Sequence, residues 1–138
     1  MQERHAQTAG VDHVGLTVGD LEHSRRFFVE CLGWKVVGGV PAYPAVFVSD
    51  GSVRLTLWQV DKSDGYVAFD RRKNIGLHHV ALKVSDLAAL ESVYARVSTW
   101  PGVETEFPPQ PALGGLRMHC MVREPGGVRV EFVCTLAT

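Results

Sequence analysis

The segment "LHHVALKV" at residues 77–84 sets two adjacent histidines at the mouth of an apolar run, and "VDHVGLTV" at 11–18 sets one histidine in the same place. Side chains alternate between the faces of a strand, so the apolar set in each run marks the side that packs against helices. That set is Val14, Leu16 and Val18 in the earlier run, Val80, Leu82 and Val84 in the later one, and Val128, Val130 and Phe132 in "GVRVEFV" at 127–133. His13, His79 and Glu131 therefore face away from the helices. Two neutral imidazoles and one carboxylate on rigid strands form a donor set that holds a divalent ion and leaves positions open for substrate oxygens or water. Three polar residues on the rim of a cleft would produce the same pattern with no ion between them.

Other side chains share that face. Arg54 and Trp58 alternate with Thr56 along "VRLTLW", and Lys83 has the parity of His79. Arg54 and Lys83 are candidates for holding an anionic substrate by charge, and Trp58 for stacking on a flat one. Solvated positions at a cleft edge would look alike. His119 alternates with Arg117 and Met121, which makes it a candidate general acid or base, or else a surface residue. His78 has the wrong parity for a ligand, and His5 and His23 read as solvent-exposed. Cys31, Cys120 and Cys134 are widely spaced in apolar surroundings, as expected of buried free thiols. No glycine-rich phosphate loop follows a strand and opens a helix.

The elements that must position these residues are written twice. "DHVGLTVGDL" (12–21) lies over "HHVALKVSDL" (78–87) without a gap, a shift of 66 residues that carries His13 onto His79 and Asp20 onto Asp86. Later, "DGSVRLTLW" (50–58) lies over "PGGVRVEFV" (125–133). Each copy reads as a strand, a helix capped by Asp20 or Asp86, and further strands. Leu21, Phe28 and Leu32 repeat with helical spacing before Gly33, a C-terminal cap. Leu87, Leu90, Tyr94 and Val97 form one face of the second helix. The expected architecture is α+β: two βαβββ modules, about 11–58 and 77–134, in pseudo-twofold arrangement, forming a curved mixed sheet with a concave site. The polar connector, about 59–76, leaves the modules free to pack within one chain or to exchange between two chains. "FPPQPALGG" (107–115), with three prolines and two glycines, reads as a loop over a site or an edge, or equally as a plain surface connection.

Composition narrows the partners. The 138 residues suit one domain with a real core, and 14 basic against 15 acidic residues leave a net charge of −1. That balance offers no electrostatic footprint for nucleic acid or an anionic membrane. With no apolar leader and no apolar window of about 18 residues, a cytoplasmic location is expected.

From "VDHVGLTVGDLEHSRRFFVECLGW" through "GLHHVALKVSDL" to "EPGGVRVEF", the chain resembles the vicinal oxygen chelate superfamily. That superfamily includes glyoxalase I, extradiol dioxygenases, fosfomycin-resistance proteins and bleomycin-binding proteins. The resemblance spans nearly the whole chain and implies a single domain over 1–138. It implies metal ligands on the first and fourth strands of each module, which here are His13, Thr56, His79 and Glu131. Glyoxalase I has glutamate at the position of Thr56, and methylmalonyl-CoA epimerase has glutamine. Threonine is a poor ligand, so the implied metal set is His13, His79 and Glu131, with Thr56 and His119 as candidate catalytic positions. Iron, manganese, nickel and zinc are all consistent with this set. The implied activity is metal-dependent chelation of vicinal oxygens of a small organic substrate, as a glyoxalase-like lyase or isomerase or as an extradiol dioxygenase. The alternative is a metal-free binding protein of the bleomycin-resistance type. Many small members are homodimers that build each site from both chains.

Overall fold

A computed structural model describes residues 3–112 and 114–136. The first module runs β1 (Val14–Val18), α1 (Leu21–Arg26), β2 (Lys35–Val40), β3 (Ala45–Ser49) and β4 (Arg54–Gln59). The second runs β5 (Val80–Lys83), α2 (Leu87–Val97), β6 (Glu104–Pro111), β7 (Arg117–Arg123) and β8 (Arg129–Thr135). The strands are hydrogen-bonded as two four-stranded mixed sheets of identical plan, ordered β1-β4-β3-β2 and β5-β8-β7-β6. In each, the first strand runs parallel to the fourth, with Val14 opposite Leu55 and Val80 opposite Val130. The sequence repeat is thus a repeat of topology.

Both helices start where a short acidic side chain satisfies an otherwise orphaned N–H. Asp20 accepts from the His23 amide at 3.0 Å, and Asp86 from the Ala89 amide at 2.8 Å. Beyond α1 the chain widens into a π-helical turn over Phe27–Cys31, in which Leu32 N–H donates to Phe27 O. Phe27, Phe28 and Cys31 are all completely buried there, and Gly33, at φ +77°, ends the turn. On α2, Leu90 and Val97 reach the core while Leu87 stays exposed.

One apolar cluster draws on both modules: Leu16, Val18, Leu55 and Leu57 from the first sheet meet Leu82, Val122, Val130 and Phe132 from the second. Among the described residues three polar links cross between the modules, one of them from Arg96 Nη1 to Cys31 O at 3.2 Å. Gly19 N–H donates to Gly126 O at 2.8 Å, and Ser24 Oγ donates to the buried Glu124 carboxylate at 2.7 Å. Burial pushes the Glu124 carboxyl up, against the hydrogen bonds it receives.

The proline-rich stretch expected as a loop is mostly strand, since β6 runs to Pro111. Its pairing with β7 slips between Thr105 and Phe107 and again between Phe107 and Gln110. β6 is an edge strand, where a proline costs no ladder hydrogen bond if its nitrogen faces outward and where irregular register is tolerated. Leu113, within the stretch expected as a loop, lies outside the described residues. No described helix is long and apolar enough to cross a membrane.

Candidate functional site

Parity along the strands is as expected. Leu16, Val18, Leu82, Val128, Val130 and Phe132 are buried, and Gly15, Thr17, Ala81 and Lys83 lie exposed on the opposite face. Both histidines of the repeat sit one residue before their strands, at the open end of the parallel ladder.

In the second module the face carries a connected set of three side chains. Glu131, on β8, has Ala81 opposite it on β5 and Met121 on β7. The small alanine leaves room, and His79 Nε2 lies 3.1 Å from Glu131 Oε1. From β7, His119 Nδ1 reaches Glu131 Oε2 at 2.5 Å, with its ring against Phe107 at a centroid distance of 4.7 Å. Only 14% of the Glu131 side chain is exposed, so both contacts are partly desolvated.

His79 is positioned from behind. Arg129, only 5% exposed, donates from Nη1 to the His78 carbonyl and to His78 Nδ1, both at 3.1 Å. Its Nε and Nη2 grip Glu106 at 2.9 and 2.8 Å. The Arg129 hydrogen bond, with the charges of Arg71 and Arg123, holds the Glu106 carboxyl below its usual range. Desolvation first, and then the positive charge of Arg129, pushes the His78 imidazole down. A guanidinium can only donate, so His78 Nδ1 is an acceptor, and the His79 Nδ1–H, 2.7 Å away, is the donor between the two rings. At 3.1 Å, His79 Nε2 and Glu131 Oε1 stand at the distance of an ion pair or a hydrogen bond. The separation also suits two neighbouring ligands of one ion, each at about 2.1 Å.

His13 does not join this pair. Its Nδ1 lies 2.7 Å from Asp12 Oδ2 and 3.3 Å from Arg54 Nη2, at the equivalent corner of the first module. Among the described residues no three His, Cys, Asp or Glu side chains are grouped so as to hold a metal ion. Of the donors expected from the sequence, His79 and Glu131 lie together, and among the described residues His13 is not grouped with them.

Thr56 is 2% exposed, and its hydroxyl accepts the Trp58 indole N–H at 2.9 Å. Expected as a catalytic position on the open face, it is covered by a larger neighbour on its own strand. Trp58 in turn packs against Tyr43 and Phe47, with centroids 4.6 and 5.8 Å away. Arg54 donates to Asp12 at 3.2 Å and lies over the Phe47 ring. Lys83 lines a cleft of about 360 Å³ further along the second sheet.

Sequence reasoning missed the work of Arg129, Glu106 and His78. A signal was present: the "VR" of 53–54 recurs at 128–129, and both arginines anchor the residue before a repeat histidine, Asp12 in one module and His78 in the other.

Comparisons with known proteins agree with this architecture. Residues 10–132 match the family model described as the Glyoxalase/Bleomycin resistance protein/Dioxygenase superfamily. The mitochondrial methylmalonyl-CoA epimerase of Bos taurus is 34% identical over 83 residues, 56% of this chain and 47% of that protein. The chain therefore spans about half the length of the epimerases it matches. The lactoylglutathione lyase of Haemophilus influenzae is 28% identical over 133 residues, covering 88% of this chain and 89% of the other. Among solved structures, a glyoxylase/bleomycin resistance protein/dioxygenase domain from Frankia sp. EAN1pec superposes with a TM-score of 0.76 at 26% identity, covering 94% of this chain and 93% of that one. The fosfomycin resistance protein FosX of Listeria monocytogenes shares the fold, with a TM-score of 0.71 at 16% identity over 93% and 94% of the two chains. With the repeated βαβββ plan and a family match over nearly its whole length, the chain belongs to the glyoxalase/bleomycin resistance protein/dioxygenase superfamily.

Proposed function

We propose that this protein is a metal-dependent enzyme that binds a small organic substrate through two neighbouring oxygens and moves a proton at the adjacent carbon, as a glyoxalase-like lyase or isomerase. The observation that carries this reading is the chain of contacts from His79 through Glu131 to His119. Glu131 orients His119 by accepting its Nδ1–H, which leaves Nε2 with a lone pair to take a proton from the substrate and return it. Phe107 restrains the ring, and Arg129, acting through His78, restrains His79. Lewis-acid polarisation of the substrate oxygens is what a divalent ion supplies when held at His79 and Glu131. Two of the relatives are named as an epimerase and a lyase, which supports proton transfer over ring cleavage.

The third donor in this reading is His13 of a second copy in a homodimer. Exposed apolar side chains around β1 and the connector, among them Val11, Val67 and Ile75, offer a surface for such a partner. Iron, manganese, nickel and zinc suit the set.

The test is metal content by mass spectrometry after anaerobic loading with each of the four ions, for the parent protein and for His79→Ala. One ion per site that is lost in the variant supports the reading; turnover of the hemithioacetal of methylglyoxal and glutathione, against oxygen uptake with a catechol, then separates lyase from dioxygenase. A second reading, a metal-free binding protein, is favoured by Thr56, whose buried hydroxyl stands where a fourth ligand would be. Absence of any bound ion in the parent protein would select it.

A further inference from the structure

We propose that the stretch of the second sheet beside Glu131 and His119 is a subsite for the carboxylate or phosphoryl group of an anionic substrate, with Lys83 and Arg117 as its cations. A cleft of about 360 Å³ lies there, lined by Ala81, Lys83, Ser85, Arg117, Val133 and Thr135. Strand register ties it to the reacting groups. Lys83 stands opposite Val133, and Val133 stands opposite His119, so one row across the sheet reads Lys83, Val133, His119. The row before it holds Ala81, Glu131 and Met121, and the row after it pairs Thr135 with Arg117. Neighbouring strands lie about 4.8 Å apart, so Lys83 and His119 are about 10 Å apart at the backbone, with their side chains on one face. A small molecule bridges that span.

Arg25 and Arg26 pair with Glu22, Arg54 pairs with Asp12, and Arg71, Arg123 and Arg129 surround Glu106. Lys83 and Arg117, like Lys35, Lys62, Arg72, Lys73 and Arg96, have no carboxylate within ion-pair distance among the described residues, but Lys83 and Arg117 line one cleft together. An anion held over the apolar floor of Ala81 and Val133 gains charge-assisted hydrogen bonds from both cations. Thr135 adds a hydroxyl to the same cleft. The placement rests on the reading of His119 and Glu131 as the reacting groups, and it gives the substrate an anionic group set to one side of the carbon that loses a proton.

The test measures anion binding without turnover. Amide shifts of the uniformly 15N-labelled protein are followed with inorganic phosphate in one arm and acetate in the other, at constant ionic strength. The expected result is saturable shifts at Lys83, Val133 and Thr135 in at least one arm, which also names the anion class. Binding should weaken roughly tenfold in Lys83→Met and in Arg117→Gln, the size of one charge-assisted hydrogen bond, and recover in Lys83→Arg. Glu131→Gln should bind the probe no more weakly than the parent, so an inactive Glu131→Gln with intact anion binding, or an unaffected one, bears on the proposed reaction and not on the subsite. Shifts that never saturate, or that are unchanged in both cation variants, overturn the subsite.

Discussion

Glu131 has two oxygens and two partners, so the polar side chains on this face form one connected set. Oε1 faces His79 and Oε2 holds His119. Under the proposed reaction, His119→Gln should lower kcat by roughly 10² to 10⁴, the usual range for a general acid or base, while retaining bound metal. Glu131→Gln should lose both activity and metal, so paired rate and metal measurements separate the two roles. A different expectation concerns the thiols. Cys31, Cys120 and Cys134 are buried and unbridged, burial pushes the Cys120 thiol up to about 11, and it raises that of Cys31 as well. A disulfide reagent at pH 8 should react with them only after denaturant is added; rapid reaction of the native protein would refute that burial. At this scale the sequence was legible by parity, which placed His79, His119 and Glu131 on one face. It could not show that Thr56 lies under Trp58, because two residues on one face of one strand say nothing about which covers the other.

The two modules are locked by elements that neither repeat would predict by itself. Glu124 accepts from Ser24 of α1 and from the Val128 amide, so Glu124→Ala would leave both donors buried and unpaired, at a cost of about 2–4 kcal/mol read by chemical denaturation. Because burial raises the Glu124 carboxyl, the folded state binds its proton more tightly than the unfolded chain does. Its contribution is then complete at pH below the usual carboxylate range and is lost as pH rises through the raised value. Glu124→Gln, uncharged at every pH, should flatten that part of the stability profile in thermal melts from pH 4 to 8. An unchanged profile would mean that Glu124 does not titrate there. Next to it, a Cβ on Gly126 would stand 2.1 Å from Ser24 Oγ and 2.7 Å from Val18 Cβ. Gly126→Ala should therefore destabilise by about 1–3 kcal/mol through forced separation of α1 from the β7-β8 turn. Helix caps, Gly33 and the strand alternation were readable because each depends on residues a few positions apart. The proline-rich β6 was misread because its pairing to β7 outweighs local turn preference at an edge.

For the molecule as a whole, the question is where the first module's histidine acts. His13 is held by Asp12 and Arg54, at the corner that matches His79 in the second module. If a second copy brings the two corners together, mixing His13→Ala with Glu131→Ala should restore one intact site per heterodimer, measured as metal bound and activity regained. Addition of a chelator should then lower the melting temperature of the parent protein, because an ion that binds only the folded state stabilises it by mass action. No recovery on mixing would argue against a site shared between copies. The sequence by itself determined the repeat, the βαβββ plan, the buried face of each strand and the family, since all of these follow from hydrophobic periodicity and from motifs that recur at a fixed shift. Only the tertiary structure decided that His119, and not His13, meets Glu131, that Arg129 is buried against Glu106, and that Glu124 joins the modules. Those outcomes depend on which strands become neighbours and on the register between them, a choice made by packing of the common core between residues up to a hundred positions apart.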